Sequence, residues 1–326
     1  MRAVRIERFG GPEVLQVGDV DAPRAGEGEV LVELRAAGVN RADILLRTGS
    51  YHDAPPFPIV LGMEGAGVVR EVGPGVDGLA PEDRVVAGGG RPGCYAEQVA
   101  APAARVTRLP DAVGFPEGAA ASIAWLTAWY CLRRLARLEE GETVVIHAAA
   151  SGVGDAAVQI ARDLGARAIG TAGSPAKVAW AVENGADVGV DYGREDVVAR
   201  VKEATEGRGA DVVIDAVGGP LFPVSLGAVG HLGRVVALAN PSLEDSTINV
   251  RDFYPKNATI FGFQLPGLIE RGYDPRADLE EVLALLAEGR CVVHVDRTFP
   301  LGEAADAHRY LEERRNRGKV VLDPTR

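Results

Sequence analysis

The residues whose types and spacing suit them to chemistry begin at His147-Ala148-Ala149-Ala150-Ser151-Gly152-Val153-Gly154, which leaves a β-branched run and enters a segment with helical apolar spacing. Small residues there permit a tight turn, close approach of the backbone to a pyrophosphate and close helix-to-strand packing. The helix N-terminus offers free amides to the anion. Against the six-residue glycine fingerprint of dinucleotide sites, Ala149 and Ser151 stand in the first two glycine places and Gly154 in the third. Taken alone, these letters equally describe a tight helix entry without ligand, so the motif counts through its setting. The next such turn reads Thr171-Ala172-Gly173-Ser174-Pro175-Ala176-Lys177, with no carboxylate nineteen residues beyond Gly154 to hold a ribose 2′-hydroxyl. Lack of that repulsion and the ammonium of Lys177 favour a 2′-phosphate, and so NADPH. The alternative has Lys177 solvating a helix face and Asp191 binding the ribose of NAD.

The elements that must position these residues form a βαβ rhythm. Short apolar runs at Thr143–Ile146, Ala166–Ile169, Val188–Asp191, Asp211–Ile214 and Arg234–Ala237 recur about every 22 residues, room for a strand, a helix of about three turns and two loops. Strands buried on both faces read as continuous apolar runs, which predicts a doubly wound parallel sheet of Rossmann type. Residues 1 to about 120 have another texture, short alternating strands such as Glu29–Leu34 between Gly and Pro turns, which predicts a β-rich, partly open barrel. After Phe263 come a helical pattern at Leu279–Ala287, a strand near Cys291–Val295, a helix from Glu303 and a last strand at Lys319–Leu322, able to return to the first domain. The chain is thus an α/β protein with one domain from 1–122 plus 264–326 and a dinucleotide-binding domain at 123–263.

With 326 residues, 47% of them hydrophobic, the chain can bury two cores. Its 35 basic against 46 acidic residues, net −11, oppose attraction to nucleic acid or anionic lipid. Cys94, Cys131 and Cys291 are scattered and odd in number, without metal spacing, which suits a reducing cytoplasm. The uncharged run Gly118–Leu132 has 15 residues, short of the roughly 20 that cross a bilayer, and reads as a buried helix. The first residues, Met1–Val17, lack the apolar stretch of a secretory signal.

The blocks Gly38-Val39-Asn40-Arg41-Ala42-Asp43, Leu46–Tyr51, Leu61–Gly67, Ala124–Ala128, Ala149–Gly154 and Gly318–Leu322 together resemble the medium-chain dehydrogenase/reductase superfamily, specifically its zinc-independent, zeta-crystallin-like quinone oxidoreductases. The resemblance covers essentially the whole chain and implies a β-rich GroES-like catalytic domain plus a Rossmann domain. Zinc-binding members carry a Cys at the place of Asn40, a His at that of Met63 and a third ligand near Ile123. None of the three is a zinc ligand here, so no metal site is expected, and Glu64 is expected to serve structure or the electrostatics of the site.

The resemblance further implies that Asn40 lies beside the nicotinamide ribose, with Thr127 and Gly262-Phe263 near the carboxamide and Ser151, Gly152, Val153 and Gly154 under the pyrophosphate. Val217 and Ala239 contact the ribose-to-nicotinamide region. Tyr192 joins Gly173, Ser174 and Lys177 at the 2′-phosphate. Lys319 matches a basic residue close to the cofactor, or is a solvated turn lysine. Tyr51 is the best donor to a quinone oxygen, or it packs on its own loop. His52 is of a type that can donate a proton near neutral pH but, as a lone loop histidine, is left out of the site. Asn40 and Tyr51 are therefore the expected catalytic residues of an NADPH-dependent reductase of quinones or related conjugated carbonyl compounds. The alternatives are an enone or enoyl-thioester reductase and, without catalysis, a nucleotide-binding structural or RNA-associated crystallin-like protein. A homodimer is expected, by edge-to-edge addition of the Rossmann sheets.

Overall fold

The structure, a computed structural model, describes residues 1–51, 54–88 and 92–326, so His52 lies outside the described residues. The chain divides into two compact units, Met1–Leu126 with Leu265–Arg326, and Thr127–Gln264. The first stretch carries β1 (Arg2–Ile6), β2 (Gln16–Asp19), β3 (Glu29–Val39), β4 (Ile59–Val60), β5 (Gly65–Val72), β6 (Arg84–Ala87), β7 (Gln98–Pro102) and β8 (Val106–Arg108). The middle stretch carries β9 (Thr143–Ile146), β10 (Arg167–Ala172), β11 (Val188–Asp191), β12 (Ala210–Asp215), β13 (Val229–Ala237) and β14 (Thr259–Gly262). The last adds β15 (Val295–Pro300) and β16 (Lys319–Asp323).

In the unit Thr127–Gln264 all neighbouring strands are parallel, in the order β11-β10-β9-β12-β13-β14. The order reverses between β9 and β12, and ligands of such sheets bind outside the carboxyl ends of the strands at that reversal. Val144, Val145, Ile146, Val212, Val213 and Val235 are fully buried, as strands covered on both faces must be. β14 is a sixth strand beyond the five read from the apolar runs. It closes the sheet edge with no residue fully buried.

The other unit holds a seven-stranded sheet, β15-β16-β3-β5-β6-β8 with β7 also on β3, and a three-stranded sheet, β2-β1-β4. Its core draws Val32, Leu34, Leu61, Met63 and Val85 from the first stretch and Val320 and Leu322 from the last. The strand expected near Cys291–Val295 lies instead at Val295–Pro300. Cys291 and Val293 are buried from the preceding loop, whereas β15, at the sheet edge, carries Asp296 and Arg297. Burial of that loop imitates a strand in the sequence.

Candidate active site

Asn40 stands where β3 ends, in extended backbone (φ −124°, ψ 157°), and caps the helix Arg41–Thr48. Its backbone N–H donates to Asp43 Oδ2 at 2.8 Å, the return half of a capping box. Antiparallel pairing of β16 on β3 sets Val320 opposite Val39, which delivers Lys319 beside Asn40. Pairing of β5 on β3 sets Gly65 opposite Ala37, which delivers Glu64 to the same place. Gly38 lies among them. A Cβ at this position would stand 2.2 Å from Glu64 Oε1, so a side chain and the carboxylate cannot share the space.

Glu64 is completely buried. Its Oε1 accepts from Asn40 Nδ2 (2.7 Å) and Lys319 Nζ (2.7 Å), and its Oε2 from Ser122 Oγ (3.1 Å) and the Ile123 N–H (2.7 Å). Ile123 sits in a π-helical turn, Ala121–Trp125, an irregularity that recurs at functional sites. Lys319, only 4% exposed, also donates to Asn40 Oδ1 (2.8 Å) and Val39 O (3.4 Å). The buried ion pair is thus surrounded by hydrogen bonds on both sides, the condition under which burying two charges is tolerable. These partners also fix the Asn40 amide: Oδ1 faces the ammonium and Nδ2 the carboxylate.

Behind Asn40 a second buried chain begins at Asp43. Tyr95 Oη lies 3.2 Å from Asp43 Oδ2 and 3.2 Å from His308 Nε2, while His308 Nδ1 lies 3.3 Å from Arg47 Nη1. Arg47 in turn pairs with Glu312. A guanidinium only donates, so Nδ1 accepts, Nε2–H donates to Tyr95, and the phenol donates to Asp43. Burial pushes the Asp43 carboxyl up to about 7, against the lowering effect of the bond from Asn40. Burial, with the Arg47 and Arg41 guanidiniums, pushes His308 down to about 3.

In the other unit the predicted nucleotide residues collect at the carboxyl ends of the strands. After β9 the chain turns through Ala148, whose φ of 53° is left-handed, and enters the helix Gly152–Asp163. Ser151 caps it, its Oγ accepting from Gly154 N at 3.1 Å. A Cβ on Gly154 would stand 2.2 Å from Ala148 O, so glycine permits the close approach of helix to turn. The amides of Gly152 and Val153 open the helix as free donors for an anion. After β10 come Gly173 and Ser174, whose Oγ accepts from the Lys177 N–H (3.4 Å), and the Tyr192 hydroxyl after β11 would stand 2.4 Å from a Cβ on Gly173. Val217 follows β12, Ala239 follows β13, and Gly262-Phe263 closes β14, with the Phe263 ring 5.4 Å from that of Tyr130. Thr127 is buried on the helix Leu126–Trp129.

A buried network braces these ends. Asp215 Oδ1 accepts from Val217 N (2.9 Å) and Gly218 N (2.8 Å), and its Oδ2 from Ser225 Oγ (2.7 Å). His147, fully buried, lies 3.1 Å from Ser225 Oγ and 2.9 Å from Thr171 Oγ1, and burial lowers its pKa. It therefore ties β9, β10 and the Asp215 turn together as a neutral ring.

The structure thus unites Asn40 with Lys319 and, separately, gathers the nucleotide residues at the ends of β9 to β14. Lys319 is buried in a strand pair, not solvated in a turn. The Tyr51 N–H donates to Leu45 O at 3.1 Å, and its side chain packs half-buried on the core of its unit. Sequence reasoning left Ser122, Asp215 and Ser225 unnamed. The only hint of the constellation was Gly38 two residues before Asn40 and the Glu64-Gly65 pair.

Tight turns at the carboxyl ends of a parallel sheet and a polar strand-end constellation in a GroES-like unit define a two-domain dehydrogenase/reductase. The chain matches the Zinc-binding dehydrogenase family over residues 184–322 and the Alcohol dehydrogenase GroES-like domain over residues 26–111. It is 36% identical to a quinone oxidoreductase of Pseudomonas aeruginosa over 99% of both chains. Among solved structures it resembles Escherichia coli quinone oxidoreductase complexed with NADPH (34% identity, TM-score 0.92, 99% of this chain and 100% of that one). An NAD-dependent alcohol dehydrogenase is similar to the same degree (36% identity, TM-score 0.91, 99% of each). The chain belongs to the quinone oxidoreductase family of the medium-chain dehydrogenase/reductase superfamily, and it is an oxidoreductase.

Proposed function

We propose that this protein reduces quinones, or related conjugated carbonyl compounds, with NADPH by direct hydride transfer and without zinc. The observation that supports the reading is the end of β10, where the Tyr192 hydroxyl stands against Gly173, Ser174 caps the next helix and Lys177 lies in that helix's first turn. Asp191, at the end of β11, is engaged in its own turn: Oδ1 accepts from Gly193 N at 3.0 Å and Oδ2 lies 3.7 Å from Arg194 Nε. A 2′-phosphate therefore meets hydroxyl and ammonium donors there, and a bare 2′-hydroxyl finds no carboxylate to hold it. The similarity to both an NADPH complex and an NAD-dependent enzyme means that local charge, not fold, decides between the cofactors.

Bound NADPH supplies the hydride. The protein's part is to hold and orient: Ser151 to Gly154 take the pyrophosphate, Val217, Ala239, Thr127, Gly262 and Phe263 the nicotinamide half, and Asn40 the acceptor oxygen, with Tyr51 as a second donor. Zinc does not suit the donors at this strand end. Asn40 turns its oxygen to an ammonium, Met63 is a core thioether, Ile123 offers an N–H, and the Glu64 carboxylate already accepts four hydrogen bonds.

We further propose a cytoplasmic homodimer, in which β14 of one copy pairs with β14 of another. β14 ends the six-stranded sheet with Ile260 36% exposed, and the segment before it exposes Val250 and Tyr254. The reading is tested by dissociation constants for NADPH and NADH and by NADPH oxidation with a quinone panel and an enone panel. Expected are NADPH binding at least roughly tenfold tighter, the worth of one charge-assisted contact, and turnover of quinones. Tighter NADH binding, or no turnover with either panel, overturns it.

A further inference from the structure

We infer that Lys319 and Glu64 are positioning residues that turn Asn40 into the oxyanion donor of the site, the buried ammonium acting through the amide. This rests on the reduction of a conjugated carbonyl proposed above.

The three N–H bonds of Lys319 have acceptors in Glu64 Oε1, Asn40 Oδ1 and Val39 O. No donor remains to touch substrate or a phosphate directly, and the side chain is 4% exposed. What the ammonium does reach is the amide oxygen of Asn40, at 2.8 Å. One Nδ2 hydrogen of that amide is held by Glu64 at 2.7 Å, and the other has no acceptor among the described residues. Of the three groups Asn40 is also the most exposed, at 9% against 4% for Lys319 and none for Glu64.

The two formal charges cancel as a pair, so the effect is one of orientation and polarisation. The negative charge of Glu64 is shared among four donors, including Ser122 Oγ and Ile123 N, whereas the ammonium bonds directly to the amide oxygen. An amide whose oxygen accepts from a cation is a stronger donor through its nitrogen, and hydrogen bonds in a chain strengthen one another at low local dielectric. A hydride arriving at a conjugated carbonyl forms a C–H bond and moves the π electrons onto oxygen. The preset Nδ2–H holds that oxyanion without giving up its proton, and the proton that completes the product comes from water. A carboxylate to lock the amide plane and a cation to polarise it together do what a metal ion would do at this strand end.

The test uses Lys319→Met, Lys319→Arg and the double variant Glu64→Gln/Lys319→Met, which removes both charges and so avoids a buried carboxylate without its cation. Three quantities are read: the NADPH dissociation constant, kcat and KM across quinones of graded electron affinity, and the acidity of 4-nitrophenol bound with NADP⁺, followed by its absorbance. Expected for Lys319→Met and the double variant are an NADPH dissociation constant within roughly twofold of the parent and kcat lower by roughly 10²-fold, the worth of one oxyanion donor. The loss should be steepest for the least electron-poor acceptors, and Lys319→Arg should recover part of it. Bound 4-nitrophenol should be more acidic than free in the parent protein and no longer so in either charge-removing variant.

NADPH binding weakened tenfold or more with kcat preserved would make Lys319 a cofactor ligand and overturn the inference. So would an unchanged nitrophenol acidity in the double variant. If the parent turned over no quinone or enone, the proposed function would fall, while the nitrophenol measurement would still decide whether Asn40 is a polarised donor.

Discussion

Gly38 has no side chain because Glu64 occupies the place where one would be, 2.2 Å from an ideal Cβ. Gly38→Ala is expected to displace the carboxylate and to destabilise the protein by about 1–3 kcal/mol, the ordinary cost of overpacking, read as a lower thermal midpoint with a parallel loss of activity. An unaltered midpoint would show that the constellation tolerates a shift. On the proposed function, Lys177→Ala should weaken NADPH by roughly tenfold or more and leave NADH, which lacks the 2′-phosphate, nearly unchanged. Equal weakening of both cofactors would remove Lys177 from the phosphate site. Asn40 and Lys319 were named from their motifs, yet their union was not legible. They are 279 residues apart in the chain, Glu64 is 255 from Lys319, and no local spacing encodes a contact that strand register alone creates.

At the scale of elements, the helix Arg41–Thr48 and the strands beneath it are joined through Asp43, Tyr95 and His308, and two of these groups titrate in opposite senses. Asp43 stands at about 7 in the fold against an ordinary 3.8. The unfolded chain releases that proton first, so this contribution makes stability decline from about pH 4 to about pH 7. His308 stands at about 3 against 6.5, so the unfolded chain takes up its proton first and stability rises from about pH 3 to about pH 6.5. The slopes nearly cancel in the intact protein. His308→Gln is expected to uncover a decline toward neutral pH of up to ~1.4 kcal/mol per unit, and Asp43→Asn a rise of similar steepness, both read from urea midpoints between pH 4 and 7. Identical pH profiles for the two variants would contradict the linkage. The βαβ rhythm was readable because β9, β10 and β12, with Val235-Val236 of β13, are apolar runs buried inside the sheet. β14 has no fully buried residue, and β15 was misplaced because Val292-Val293 carries the apolar signal in a loop.

For the whole molecule, the open edge of the six-stranded sheet sets the expected assembly. Light scattering should give twice the chain mass of 34.2 kDa, and Ile260→Lys, which places a charge on the β14 edge, should return it to one chain. A parent protein that runs as a single chain would remove the pairing. The unit built from Met1–Leu126 and Leu265–Arg326 is interrupted by the entire other unit. During synthesis, β3 and β5 emerge long before β16, and Glu64 must wait for a counter-ion born more than two hundred residues later. The Rossmann unit, contiguous in the chain, has all its strands in hand sooner and is free to finish first. Maturation of the reductive centre is therefore timed by the arrival of the closing strand, and a ribosome-bound chain halted before Lys319 should already grip dinucleotide while lacking the means to use it.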